Sequence, residues 1–152
     1  MEIIRINQAG TLLVSGVIDD WPLLRAHGVD AIVDMDGDVD PGLPEVPNEL
    51  LYVYFPILDE NLPALHKLDA LGRMVADLVD GGHVVLVHCR LGFNRSMLVA
   101  ATALSYLGHA GPEIIVHMRQ VRPGALFNER FANHVQALPA RRVRLELIRE
   151  PV

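Results

Sequence analysis

The sequence contains a single cysteine, Cys89, and a single lysine, Lys67. One cysteine cannot form a disulfide within the chain, which excludes a disulfide-stapled fold and fits a reducing compartment. Every apolar stretch is interrupted by polar residues before it could span a bilayer. Met1 is followed by Glu2, Arg5 and Asn7 instead of a basic segment and an apolar run, so a signal peptide is not indicated and a cytoplasmic protein is predicted.

An excess of positive charge is also missing, because the net charge is -6 and the isoelectric point lies near 5.6. Proteins that bind nucleic acids or anionic membranes broadly need a basic surface. We therefore expect neither a nucleic acid nor a membrane as a partner. Hydrophobic residues make up 51% of the sequence, which is enough to form a substantial core.

The length of 152 residues predicts a single domain over 1–152. Strand-like segments alternate with segments of helical periodicity, which is typical of an α/β fold with a mainly parallel central sheet flanked by helices. The intervening segment 34–48 is rich in aspartate and proline and indicates a loop. The predicted strands are 2–6, 12–15, 29–33, 51–55 and 83–87, and the predicted helices are 20–27, 63–79, 95–107, 112–121 and 128–138.

The loop between the strand 83–87 and the helix 95–107 carries the candidate chemistry. Such a loop can turn successive backbone N–H groups inward, and the following helix adds its free N–H groups and the positive end of its dipole. Phosphate or another oxyanion fits this cradle. The residues expected to bind phosphate are Arg90, Leu91, Gly92, Phe93, Asn94 and Arg95.

Several side chains of this loop are candidate catalytic groups. Cys89 lies at the base of the cradle, where the N–H groups favour a thiolate that can attack phosphorus. Arg95 can hold two phosphate oxygens with its planar guanidinium group, and Gly92 permits a positive φ at the tightest point. Ser96 can donate a hydrogen bond to the sulfur of Cys89 when it leaves, and His88 can orient the loop through its ring nitrogens.

An enzyme that cleaves a phosphate ester with such a thiolate also needs an acid that protonates the leaving oxygen. Asp59 is our candidate, because it follows a predicted strand end and its loop could overhang the site. Glu60 is the neighbouring competitor. A simpler alternative is that Asp59 caps the helix predicted to begin at Pro63.

Simpler interpretations also apply to other features. A single cysteine is most often an inert core residue. The acidic segment with Asp34, Asp36, Asp38, Asp40 and Glu45 resembles a calcium loop in charge, but Val39 stands where the required glycine would be. We therefore interpret it as a solvated acidic loop.

Histidines and arginines outside the loop give no strong signal. Six scattered histidines show no metal-ligand spacing, so no zinc site is assigned. Arg141, Arg142 and Arg144 are interpreted as a solvated face, and Asn128 as the cap of the last helix. Because the loop supplies its own positive field through N–H groups and Arg95, we expect no metal or other cofactor.

The motif His-Cys-x5-Arg-Ser at residues 88–96 resembles the signature of the cysteine-dependent phosphatases. The chain is similar to the dual-specificity protein phosphatases of that superfamily, which also place an aspartate about thirty residues before the cysteine, as Asp59 lies here. The segments 122–124 and 128–131 resemble the part of those enzymes that follows the catalytic helix. The resemblance implies a cysteine-phosphatase fold with a phosphate-binding P-loop, a phosphocysteine on Cys89 and a shallow pocket.

The resulting expectation is a phosphomonoester hydrolase acting on phosphorylated proteins or peptides. Phosphotyrosine is the first expected substrate, with phosphoserine and phosphothreonine as further ones. Two alternatives stay open at this point. The same chemistry could act on a non-protein phosphate, such as an RNA 5′ end, a nucleotide or an inositol phosphate, or the chain could be a phosphate-binding module with negligible turnover.

Overall fold

The computed structural model of the protein describes residues 1–141. Strands and helices follow one another much as the sequence patterns predict. The strands are β1 (Ile3–Arg5), β2 (Leu12–Ser15), β3 (Val29–Asp34), β4 (Leu51–Tyr54) and β5 (Val84–His88), and the helices are α1 (Trp21–Ala26), α2 (Leu65–Asp80), α3 (Arg95–Tyr106), α4 (Gly111–Val121) and α5 (Glu129–Gln136).

The five strands form one sheet in the order β1-β2-β5-β3-β4. β1 is antiparallel to β2, and the other neighbouring pairs are parallel. The apolar strand β5 lies at the centre, where residues are covered on both faces and a continuous apolar run is favoured. The predicted α/β fold with a mainly parallel, helix-flanked sheet is thus confirmed.

The two faces of the sheet pack against layers of unequal size. Val85 and Val87 belong to the larger core, which the helices α2 to α5 cover. Leu86, between them in sequence, belongs to a smaller core that includes Leu24 of α1 and Ile32 of β3. Successive side chains of a strand point to opposite faces, so this central strand contributes to both cores.

Two helix starts compare differently with the sequence prediction. The predicted helix 20–27 is observed as α1, and Asp20 is its cap, because the Asp20 side chain accepts a hydrogen bond from the backbone N–H of Leu23 at 2.9 Å. The start predicted at Pro63 is wrong by two residues. The first intrahelical acceptor is the carbonyl of Ala64, which is bound by the N–H groups of Lys67 and Leu68, and no side chain caps this helix.

The sequence predicts a solvated side chain for Arg141, the last described residue, but the structure shows this side chain bound to other residues. Its guanidinium group donates to Asp69 at 3.1 Å and to the Tyr106 hydroxyl at 2.8 Å, and it stacks over the Tyr106 ring. Arg142 and Arg144 lie outside the described residues. No helix within residues 1–141 is long and apolar enough to cross a membrane.

The carboxyl ends of the parallel strands meet at one edge of the sheet. Ser15 of β2 and Asp34 of β3 both pair in register with His88 of β5. In open parallel sheets this edge is where ligand sites form, because the loops that leave the strands surround a common crevice. The loop with Cys89 begins here.

Candidate active site

The loop from His88 to Arg95 is held by hydrogen bonds to its carbonyl groups. The carbonyl oxygen of Arg90 accepts from the N–H of Val17 at 3.1 Å, and that of Leu91 from the guanidinium of Arg122 at 3.0 Å. The carbonyl oxygen of Phe93 accepts from the N–H of Leu126 at 2.8 Å. Because these carbonyls are bound by groups outside the loop, the N–H groups of the same peptides are free to face its interior.

Two glycines allow the loop to pack directly against the end of β2. Gly92 has a φ of +75°, and a Cβ there would lie 3.0 Å from the carbonyl carbon of Ser15. A Cβ on Gly16 would lie 2.7 Å from the carbonyl oxygen of Arg90. Any other residue at either position would force the two segments apart, so both glycines support the curvature of the loop.

The sulfur of Cys89 lies inside this loop and makes two hydrogen-bond contacts. The N–H of Gly92 donates to the sulfur at 3.3 Å, and the hydroxyl of Ser96 lies 3.2 Å from it. Cys89 is 2% exposed, which places the thiol at the base of the cradle and not on its rim. The N–H of Gly92 and the hydroxyl of Ser96 thus converge on the sulfur of the candidate nucleophile.

The two arginines of the loop differ in orientation. The side chain of Arg95 is only 15% exposed, and its Nη1 donates to the carbonyl oxygen of Ile57 at 3.1 Å and lies 3.6 Å from the carboxylate of Asp36. Its Nε is buried and has no hydrogen-bond partner among residues 1–141. The side chain of Arg90 is 70% exposed and lies 3.8 Å from Asp36. Of these two arginines, Arg95 is therefore the one that presents a buried, unpaired donor.

Asp59 lies beside the loop and is held by two asparagine side chains. Asn94 donates from Nδ2 to one carboxylate oxygen at 2.8 Å, and Asn128 donates from Nδ2 to the other at 2.8 Å. The alternative role of Asp59 as a helix cap is wrong, because Ala64 is the N-cap residue of α2 and no side chain of the described residues caps this helix. Glu60 contributes only its backbone carbonyl to this cluster, as an acceptor from Asn128 at 3.2 Å.

His88 belongs to a buried polar network on the opposite side of the loop. Its Nε2 lies 2.7 Å from a carboxylate oxygen of Asp40 and 3.3 Å from one of Asp34, while Nδ1 lies 3.4 Å from the carbonyl oxygen of Cys89. The hydroxyl of Tyr52 donates to Asp34 and also contacts Asp40 at 3.0 Å. The ring of His88 is thus fixed between two carboxylates and the loop backbone.

Burial dominates the electrostatics of this network. Loss of solvation raises the pKa of the Asp34 carboxyl, and the hydrogen bond from Tyr52 opposes that rise. Loss of solvation and the hydrogen bond to Asp34 both raise the pKa of the Tyr52 phenol. Tyr52 therefore remains protonated and available as a donor between the carboxylates.

The acidic segment after β3 is not simply solvated, as its composition suggests. Asp34 and Asp40 are buried, and Asp36 contacts both arginines of the loop. The segment follows a strand instead of a helix, so the EF-hand arrangement does not occur. Asp34, Asp40 and His88 do bring one potential metal-ligand atom each within 4.8 Å of one another.

Sequence reasoning missed two residues around His88, Asp40 and Tyr52, and one beside Asp59, Asn128. The sequence predicts Asp40 as part of a solvated loop, Tyr52 as a strand residue and Asn128 only as a helix cap. Asn128 does cap α5, since its Oδ1 accepts from the N–H groups of Arg130 and Phe131. The partners of these residues are distant in the chain, for example 69 positions for Asn128 and Asp59. No local pattern indicates such contacts.

The geometry agrees with comparisons to known proteins. The family model of the DSP-PTPase phosphatases of polymorphic toxin systems matches residues 10–109, which is more than half of the chain. The chain belongs to this family. The match includes the strand β2, the segment with Asp59, and the whole loop with Cys89. The predicted membership of the dual-specificity phosphatases is thereby confirmed.

A viral protein is also similar to this chain in sequence. The chain is 31% identical over 98 residues to the candidate tyrosine phosphatase 197R of Invertebrate iridescent virus 6. The match covers 60% of this chain and 36% of the viral protein, so the chain corresponds to only about a third of that relative.

Solved structures of dual-specificity phosphatases have the same fold. Human DUSP28 matches with a TM-score of 0.72 and 22% identity, over 88% of this chain and 90% of its own. A mouse dual-specificity phosphatase complexed with zinc tungstate matches with a TM-score of 0.73 and 23% identity, over 88% and 84%. Tk-PTP in its active form matches with a TM-score of 0.68 and 25% identity, over 88% and 95%.

Proposed function

We propose that this phosphatase hydrolyses phosphate monoesters on proteins, with phosphotyrosine as its first substrate and phosphoserine and phosphothreonine as further ones, through a phosphocysteine on Cys89. One observation carries the proposal. The sulfur of Cys89 receives a backbone N–H and a hydroxyl contact, and the same loop ends at Arg95, whose buried Nε has no partner. A buried guanidinium donor without an acceptor is costly unless an anion occupies the site.

In the first step the thiolate of Cys89 attacks phosphorus and forms an S–P bond. The P–O bond to the leaving group breaks, and the carboxyl proton of Asp59 passes to the departing oxygen. Arg95 and the loop N–H groups, from Arg90 to Asn94, hold the three equatorial oxygens, where charge is spread in the transition state. The products of this step are the alcohol or phenol, the phosphoenzyme and the Asp59 carboxylate.

In the second step water attacks phosphorus and the S–P bond breaks. The Asp59 carboxylate accepts a proton from the attacking water, so it regains the proton that it lost in the first step. The electron pair of the broken bond returns to the sulfur of Cys89. The hydroxyl of Ser96, 3.2 Å from that sulfur, stabilises the departing thiolate, and inorganic phosphate is released.

His88 supports both steps without contacting substrate. Its ring is fixed by Asp40 and Asp34 and lies against the carbonyl of Cys89. We propose that His88 orients the loop backbone, because the position of the nucleophile depends on the peptide groups on either side of it.

The surface around the loop supports an aromatic phosphoester on a protein as the first substrate. Leu58, Leu91 and Phe127 are exposed apolar side chains next to Asp59, in the loop, and next to Asn128 respectively. Phe93 and Phe127 contact each other with ring centroids 6.0 Å apart. Apolar and aromatic side chains favour the ring of phosphotyrosine, whereas Glu60 nearby adds negative charge that disfavours polyanionic substrates.

A substrate panel tests this proposal. Initial rates are measured on matched phosphotyrosine, phosphoserine and phosphothreonine peptides, nucleotides, RNA 5′ ends and inositol phosphates, each with the wild-type protein and Cys89→Ser. We expect the highest kcat/KM on phosphotyrosine peptides and no turnover by the variant. A higher kcat/KM on a non-protein phosphate overturns the substrate assignment. Binding of tungstate or phosphate without turnover of any substrate by the wild type overturns the enzymatic assignment.

A further inference from the structure

We propose that Asn94 and Asn128 are positioning residues that hold Asp59 in the orientation needed for proton transfer. This inference rests on the proposed role of Asp59 as the general acid. Each asparagine donates one amide hydrogen bond to a different carboxylate oxygen of Asp59, both at 2.8 Å. The two bonds together fix both the position of the carboxyl group and the rotation of its plane.

Asn94 uses both ends of its side chain in this arrangement. Its Nδ2 donates to Asp59, and its Oδ1 accepts from the backbone N–H of Asn128 at 3.0 Å. Asn94 is only 2% exposed. Since both ends of its amide are engaged within the protein, we assign its side chain to the acid, while its backbone stays part of the phosphate cradle.

Asn128 also has two functions in one side chain. Its Oδ1 caps α5 by accepting from Arg130 and Phe131, and its Nδ2 donates to Asp59 and to the carbonyl oxygen of Glu60. The segment that carries the acid is therefore tied to the start of α5. Through Asn94 the same segment is tied to the phosphate loop itself.

The chemistry of the amide group suits this task. A cationic partner would strongly favour the ionised form of a carboxyl group and oppose proton donation, whereas a neutral amide orients the group at a smaller electrostatic cost. Each carboxylate oxygen that accepts one amide hydrogen retains a second lone pair, and one of these can carry the proton for the leaving group. Arg95 approaches this segment only at the carbonyl of Ile57.

The test compares leaving groups in variants of the full chain. Asn94→Ala removes one donor, and Asn128→Ser removes the other while keeping a residue that caps helices well. Rates are measured on phenyl phosphate, which needs a proton on its leaving oxygen, and on dinitrophenyl phosphate, which does not. Asn133→Ser serves as the matched control, because Asn133 is an exposed asparagine of the same helix.

We expect each variant to lower kcat on phenyl phosphate by up to about 10²-fold, the loss that a misplacement of about 1 Å can cause. The rate on dinitrophenyl phosphate should fall by a much smaller factor. Asn133→Ser should have the same rates as the wild type on both substrates. In an Asp59→Asn background the same substitutions should cause no further loss, because the group that they position no longer acts as an acid.

Equal losses on both substrates, or full additivity with Asp59→Asn, overturn the positioning role and leave the asparagines as loop-stabilising residues. This failure is distinguishable from failure of the proposed acid. If Asp59→Asn itself shows no dependence on the leaving group, the assignment of Asp59 is wrong. If Asp59→Asn shows that dependence and the asparagine variants do not, only the present inference is wrong. Should Asn94→Ala fail to fold, the less buried Asn128→Ser decides alone.

Discussion

The two sides of the phosphate loop hold aspartates in opposite environments. On the inner side, Asp34 and Asp40 are buried with His88 and bound by the hydroxyl of Tyr52. On the outer side, Asp59 is exposed, and within residues 1–141 its carboxylate is bound only by side-chain amides. The difference indicates a division of labour, because a carboxyl group that exchanges protons with substrate must be reachable, whereas one that orients a histidine need not be.

The two sides also differ in what their loss would change. The inner network contains buried polar groups, each of which costs free energy when its partner is removed. In the outer cluster Asp59 is exposed, so we expect its loss to cost less folding free energy. Substitutions on the inner side should therefore appear mainly in stability, and those at the sulfur and on the outer side mainly in rate.

Between the two sides lies Cys89, where the largest effect is expected. Cys89→Ser should lower kcat by more than about 10³-fold, because a serine hydroxyl ionises far less readily than a thiol and loss of an essential nucleophile costs several powers of ten. Binding of phosphate or tungstate, measured by calorimetry, should survive, since the loop N–H groups and Arg95 remain. A variant that keeps more than about a hundredth of the wild-type rate would exclude the phosphocysteine.

On the outer side, Asp59→Asn should lower kcat by about 10²–10⁴-fold, the usual contribution of a positioned general acid. The loss should shrink for substrates with acidic leaving groups, and the basic limb of the pH–rate profile should flatten. Glu60→Gln is the matched control, because Glu60 adjoins Asp59 and contributes only its backbone to the cluster. A larger effect from the control would transfer the role to Glu60.

On the inner side, Tyr52→Phe should lower the free energy of unfolding by about 1–3 kcal/mol, because it removes the donor to buried Asp34. Burial raises the pKa of Asp34 and Tyr52 opposes the rise, so the variant raises that pKa further. A carboxyl group with a raised pKa in the folded state favours folding at acidic pH and loses this contribution as pH rises through the raised value.

The destabilisation by Tyr52→Phe should therefore be smallest at about pH 4, close to the ordinary pKa of an aspartate, and should grow towards neutral pH. Urea unfolding of wild type and variant at several pH values measures the difference. Tyr54→Phe is the control, because the Tyr54 hydroxyl accepts from the N–H of Asp38 in an exposed setting. A pH-independent difference would show that ionised Asp34 does not depend on Tyr52.

The exposed arginine of the loop should matter far less. Arg90→Ala should change kcat/KM by less than about threefold, because a surface ion pair such as that with Asp36 contributes about 0–1 kcal/mol. Arg95→Ala, by contrast, removes the buried guanidinium and should impair both binding and rate severely. Similar losses in the two variants would show that the side chain of Arg90 turns inward to bind substrate.

The smallest expected effect is that of metal removal. Because the ligand atoms of Asp34, Asp40 and His88 are engaged with one another and with Tyr52, we expect EDTA to leave the rate unchanged. The measurement is kcat/KM before and after dialysis against chelator. Loss of activity that a divalent ion restores would show that Asp34, Asp40 and His88 form a metal site.

The sequence by itself determined the fold class and the local chemistry of this protein. The apolar strand β5, the glycine at position 92 and the spacing from Cys89 to Arg95 are local patterns, and each forces a local structure through backbone sterics or burial. The position of Asp59 after a predicted strand end indicates that it lies near this loop, and its role as the acid stays a prediction. These features act over a few residues, so they are visible in a single sequence.

Only the tertiary structure decided which polar groups meet. Asp40 lies 48 positions from His88, and Asn94 lies 35 positions from Asp59, yet each pair forms a hydrogen bond. Such pairs depend on the order of strands in the sheet and on the path of the loops at its carboxyl edge. The reason is that a polar side chain has no periodic signature, and its partner is set by which segments the packed core brings together.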